Sequence, residues 1–257
     1  MTVLNISTDS RAYCCLVDAA VDIDDVGTWP PRIRAFCKNW ASVLQDTRFI
    51  TDLKLPDGEE ASFETMIGHL PLRAFHCTRL MDEEAEAIRR QGLVPLSERL
   101  VASRIRRAYV SGHLTAAERD TLTSGTVFAS GNAAGRPGQV CAVMGRTIFS
   151  EDPAAVDLML GLWGGEAIYW AHESTALAAR LRTLGKPSIV VINLRMAGSS
   201  RVPFFAPSPA KLFVGHLLQL PGAYGDVHYY GPVRREDIVD IWQPGHRDYD
   251  RLRPFYH

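Results

Sequence analysis

From residue 72 onward the sequence is punctuated at regular intervals by short apolar runs, capping residues, helical stretches and glycine stops. Residues 72–78 (LRAFHCT) read as a strand, and Asp82 as the cap of a helix with Glu83 and Glu84 in its first turn. Arg89 and Arg90 in the last turn suit the negative end of the helix dipole, and Gly92 suits the left-handed stop. Ser97 is placed to cap a second helix carrying Val101, Ile105 and Ala108, and Thr115 with Glu118 forms a T-x-x-E capping box for a third. Residues 130–138 (SGNAAGRPG) read as a surface loop, 140–144 as a short strand, and Asp152-Pro153 as a helix start with proline at its first position.

The chain then turns at Gly164-Gly165. Residues 166–171 (EAIYWA) alternate as a strand does, 174–184 read as a helix capped by Ser174 and stopped by Gly185, and 188–194 (SIVVINL) are the strongest strand of the sequence. A loop is expected over 215–225, followed by strands at 227–230 and 238–242 joined through Gly231-Pro232. The fold class these elements predict is α+β or mixed α/β.

With 257 residues, 46% of them hydrophobic and 22% charged, the composition is that of a globular protein and excludes collagenous, coiled-coil and wholly disordered chains. The first 70 residues differ from the rest. They carry an acidic run (Asp18, Asp22, Asp24, Asp25), then Trp29-Pro30-Pro31, a predicted helix over 32–44 and a Pro56-Asp57-Gly58 turn, and are read as an N-terminal extension or capping subdomain. A net charge of −1 gives no global attraction to nucleic acid or to an anionic membrane. There is no apolar window of about 18 residues, and the start MTVLNISTDSRAYCC lacks the pattern of a secretory signal, so a cytoplasmic protein is expected, native there or delivered into a target cell. Cys14, Cys15, Cys37, Cys77 and Cys141 form no C-x-x-C pair, so reduced thiols are expected.

Phosphate-loop, H-E-x-x-H, G-x-S-x-G and G-x-G-x-x-G signatures are absent. What remains is a set of polar residues at the ends of predicted strands: His76 in an apolar strand, Tyr169 after the double glycine, and Asp226 at the start of the strand after the long loop. Phe75-His76-Cys77-Thr78, the helix after it and Gly92-Leu93 resemble the opening of ADP-ribosyltransferases of the His-Tyr-Glu type. Residues 164–169 (GGEAIY) with the alanine-rich stretch behind them are similar to that family's aromatic strand and trailing helix. Residues 225–227 (GDV) and 237–241 (DIVDI) are similar to its acidic and closing strands. The resemblance covers residues 72–242 and departs from the family in having Asp226 where glutamate is usual. It implies split, mixed or antiparallel sheets with flanking helices over residues 71–257, beside a small N-terminal subdomain.

The same resemblance implies NAD as co-substrate and no metal. His76 would bind the ribose on the adenosine side, Thr78 would order the strand end, and the backbone at Cys77 would lie near the nicotinamide amide. Tyr169 would stack on the nicotinamide ring, with Trp170 as alternate, because an aromatic face attracts a cationic pyridinium. Asp226 would bind the nicotinamide ribose and stabilise the positive charge that develops as the glycosidic bond breaks. His228, two residues on, would help to bind substrate, and Arg79 is the arginine expected at the pyrophosphate. Glu166, Glu173 and Glu236 are rival carboxylates. Arg89, Arg90, Arg99, Arg104, Arg106 and Arg107 read as a solvated face or a phosphate-binding one. The implied activity is mono-ADP-ribosylation of a macromolecular acceptor, a protein ahead of a nucleic acid, with no membrane partner. NAD hydrolysis and a silent NAD-binding or protein-interaction module are the alternatives.

Overall fold

A computed structural model describes residues 20–131 and 136–252. The start of the chain, with Cys14 and Cys15, and part of the 130–138 loop lie outside the described residues. Six strands form one antiparallel sheet in the order β4-β5-β2-β1-β3-β6. They are β1 (Pro71–Leu80), β2 (Gln139–Met144), β3 (Lys186–Arg195), β4 (Phe204–Ala206), β5 (Gly225–Tyr230) and β6 (Ile238–Trp242). Eleven α-helices occur among the described residues. Before β1 come α1 (Pro31–Val43) and α2 (Glu59–Ile67), and between β1 and β2 lie α3 (Asp82–Gln91), α4 (Glu98–Val110) and α5 (Ala116–Ser124). Then follow α6 (Ile148–Glu151), α7 (Pro153–Gly161), α8 (Glu166–Tyr169), α9 (Ala176–Thr183), α10 (Pro209–Leu217) and α11 (Arg247–Leu252). None of the helices is long and apolar enough to cross a membrane.

The SIVVINL run is apolar at successive positions because β3 is covered on both faces. Val190, Ile192 and Leu194 join Leu72 and Ala74 of β1 in one cluster, whereas Ile189 and Val191 join Phe75, Val143 and Trp242 in another beneath α7. The first cluster also takes Ile33 and Cys37 of α1 and Phe63 and Ile67 of α2. The N-terminal segment therefore shares its core with the sheet. Val21 pairs in parallel with Leu72, and Trp29 and Phe63 both pack on Phe213 of α10, at 4.8 and 5.3 Å between ring centroids. Asp22 and Asp24 of the acidic run are tied down as well, Asp18 lying outside the described residues. Asp24 accepts the Arg146 backbone amide at 2.8 Å and its Nε at 3.1 Å, and Asp22 accepts from Nη2 at 3.0 Å.

A third apolar cluster, with Val101 and Ile105 of α4, Leu122 of α5, Trp163, Ile168 and Leu181, flanks the end of β1. The expected caps form at Ser97, which accepts the Leu100 amide, at the Thr115–Glu118 box, and at Asp152, which accepts the Ala155 amide. At α3 the cap is Met81 rather than Asp82, because the Glu84 carboxylate accepts the Met81 amide at 3.0 Å. The loop expected over 215–225 begins instead as the last residues of α10, whose Pro209 stands in the first turn.

Two glycines redirect the stretch expected to be a third strand. Gly164 and Gly165 take positive φ of 103° and 63°, and the Gly165 carbonyl then accepts the amides of both Ile168 and Tyr169 at 3.0 Å. Residues 166–169 are thus the helical turn α8, continued as a 3-10 turn over Trp170–His172, and no strand passes through Tyr169.

Candidate active site

β1 is paired very differently on its two flanks. Against β3 it registers over ten residues, from Pro71↔Arg195 to Leu80↔Lys186; against β2 it registers at Phe75↔Val143. One residue beyond that pair, the half-buried His76 places Nδ1 2.7 Å from the Cys141 carbonyl oxygen. A carbonyl can only accept, so Nδ1 carries the proton and donates, which leaves the Nε2 lone pair as an acceptor. Burial holds the imidazole below its usual value; the Cys141 carbonyl opposes this, and the Arg104 guanidinium adds to the depression. The ring is accordingly neutral at neutral pH.

β5 continues the half-sheet on the far side of β2. Asp226 stands opposite Val143 of β2 and Ala206 of β4, and His228 opposite Cys141 and Phe204. Directly opposed residues share a face, so Asp226, His228, Cys141 and Phe204 point to one side. Asp226, Cys141 and Phe204 are exposed there. His76 has the parity of Ala74 and pairs with Val190, both in the cluster of the other face. His76 and Asp226 therefore stand on opposite faces of the sheet, on strands separated by β2, with the seam between β1 and β2 lying between them. Desolvation pushes the Cys141 thiol up, Arg136 opposes and Asp226 adds to the rise, which sets Arg136 and Asp226 each within electrostatic reach of Cys141.

The α8 turn supplies the aromatic side. Tyr169 is 2% exposed and packs in the third cluster, where burial first and Glu173 second push its hydroxyl up to about 12, against the pull of Arg136. Its neighbour Trp170 is 56% exposed and carries the Arg136 guanidinium 4.9 Å above its indole. The accessible ring of the pair is thus Trp170, and Arg136 reaches from it towards Cys141.

Of the remaining expected residues, Thr78 is buried, and Cys77 is half-buried against the cluster beneath α7. Arg79 is engaged by the backbone: Nε donates to Leu184, Nη1 to Leu160 and Nη2 to Gly185, at 3.0, 3.3 and 2.9 Å. These bonds fasten the end of α7 and the turn before β3 to β1, so the arginine expected at the pyrophosphate carries a structural duty. Arg104 also departs from the solvated-face reading. It pairs with the buried Glu84 at 2.7 Å and lies 5.1 Å over Trp163, whose Nε1 donates to the same carboxylate. Glu236 pairs with Arg234, Glu173 is exposed, and the Glu166 side chain lies outside the described ones.

Sequence reasoning missed Arg136. Its signal was its position, inside a glycine-rich loop immediately before a strand that holds a candidate site. Among the described residues no group of three or more His, Cys, Asp or Glu side chains is placed to hold a metal ion. Compared with known proteins, the chain matches no family model, no curated protein and no solved structure.

Proposed function

We propose that the protein is an NAD-dependent mono-ADP-ribosyltransferase whose co-substrate straddles the seam between β1 and β2. The observation that supports this most is the parting of the sheet at His76. The strand that pairs along its whole length with β3 meets β2 at Phe75, and the next residue turns an imidazole to the Cys141 carbonyl. Within the one six-stranded sheet, the single registered pair between β1 and β2 supports the split arrangement that the sequence resemblance implies. The chain's own residues then have definite tasks. His76 Nε2 accepts from a ribose hydroxyl, and the exposed Asp226 carboxylate faces the nicotinamide ribose. Trp170, already stacked under a cation, is the ring for the pyridinium, with Tyr169 packed behind it.

In the step itself the bond between the anomeric carbon and the nicotinamide nitrogen breaks, and nicotinamide leaves with the electron pair. An acceptor nucleophile forms the new bond and releases its proton to water. A fixed carboxylate beside an oxocarbenium-like centre stabilises the transition state more than the ground state. Incubation with NAD, following free nicotinamide with and without candidate acceptors, tests the proposal. Release coupled to acceptor labelling is expected. Release without labelling at any acceptor makes the protein an NAD glycohydrolase, and absence of release rejects the enzymatic reading.

A further inference from the structure

The open face of the β4-β5-β2 half-sheet carries a row of rings that the cleavage of NAD does not use. β4 is the edge strand, and its Phe204 is 50% exposed, with its ring 5.3 Å from that of its cross-strand partner His228. One pleat along β5, Tyr230 lies under the Arg201 guanidinium at 5.7 Å. On the other side of His228 comes the small exposed thiol of Cys141. From the edge inward the face thus presents the rings of Phe204 and His228, with Tyr230 and the Arg201 guanidinium beside them. Asp226 sits one pleat from His228 on the same side.

We infer that this face binds single-stranded nucleic acid and that one of its bases is the acceptor. The second half rests on the transferase reading; the first does not. Exposed rings on an open sheet offer stacking surfaces to unpaired bases, whereas a duplex keeps its base faces covered. The Arg201 guanidinium beside these rings suits phosphate oxygens. With a chain net charge of −1, cationic charge on this face is local rather than a property of the whole surface. A base stacked on Phe204 and His228 lies in line with the carboxylate beside which the anomeric carbon would be exposed.

The test is fluorescence anisotropy with the full chain and a labelled single strand about 12 nucleotides long, as RNA and as DNA, against the same sequence as a duplex. The single strand is expected to bind at least about tenfold more tightly than the duplex, with affinity falling as salt rises. Phe204→Ala is expected to weaken binding at least about fivefold and Arg201→Ala to reduce its salt dependence. Val110→Ala, at an exposed site on α4, leaves binding unchanged. No binding of the single strand, equal binding of the duplex, or indifference to Phe204→Ala overturns the inference. Nicotinamide release in the same samples is read separately. Release without oligonucleotide binding rejects the surface and keeps the site, and binding without release does the reverse. Binding and release together, with no label from NAD on the oligonucleotide, overturn the acceptor assignment.

Discussion

Asp226 faces solvent one strand from the seam, and the proposed chemistry asks it for charge rather than shape. Asp226→Asn keeps the side chain's size and removes that charge. Nicotinamide release should fall by about 10²–10³ while NAD binding by calorimetry stays unchanged, and undiminished release would remove the residue from the reaction. His76 makes a different prediction. Only the neutral ring offers Nε2 as acceptor, and burial followed by Arg104 holds the ring below its usual 6.5. NAD affinity should therefore stay level from mildly alkaline solution down to about pH 6.5 and fall only in more acid solution; a decline that begins above neutrality contradicts the assignment. The strands that carry His76 and Asp226 were legible in the sequence, because a polar side chain in or at the end of an apolar run is conspicuous. That Tyr169 is the buried ring and Trp170 the exposed one could not be read, since which of two adjacent rings is buried depends on whether the segment is a strand or a helical turn.

At the scale of elements, α3 and α4 are joined by the Glu84–Arg104 pair, with Trp163 and the Met81 amide bonded to the same carboxylate. Burial alone would push Glu84 up; Arg104, the Met81 amide and Trp163 outweigh it and hold the carboxyl below its ordinary 4.5. The stability this contributes is complete above that ordinary value and is lost as pH falls through the depressed folded one. Glu84→Ala leaves a largely buried guanidinium unpaired, so unfolding in denaturant should show a loss of about 3–5 kcal/mol, and a loss well under 1 kcal/mol would mean that solvent replaces the carboxylate. The α8 turn gives a second test. At Gly164, with φ of 103°, an added Cβ would stand 2.5 Å from the Ile168 side chain, so Gly164→Ala should lower Tm by at least about 2–4 °C. An unchanged Tm would show that the turn tolerates a side chain. Elements closed by local hydrogen bonds, such as the helix starts at Ser97, Thr115 and Asp152, could be read in advance. The turn at 166–169 could not, because EAIYWA fits strand alternation and only the left-handed pair before it decides otherwise. β4 and α10 were also unread, the first because three residues carry no period and the second because its apolar content lacks a polar face to mark it.

For the whole molecule, the consequence of the fold is that β2 and β1, neighbours in the one sheet, register at a single pair. β3 lies between β1 and β6 with both faces covered, so its amides should exchange slowest with solvent. β2, paired along its length only with β5, should exchange faster, and equal protection of the two would argue against a parted seam. No periodicity of a single strand reports how strands part from one another, which is why the seam became visible only in the register. Amide exchange by mass spectrometry with and without NAD decides whether the dinucleotide lies at the seam. NAD should slow exchange over residues 73–80, 139–144 and 225–230 and leave residues 31–43 as they were. NAD that slows none of the three strand segments, or that protects the helices at the N-terminal end instead, would contradict a dinucleotide site at the seam.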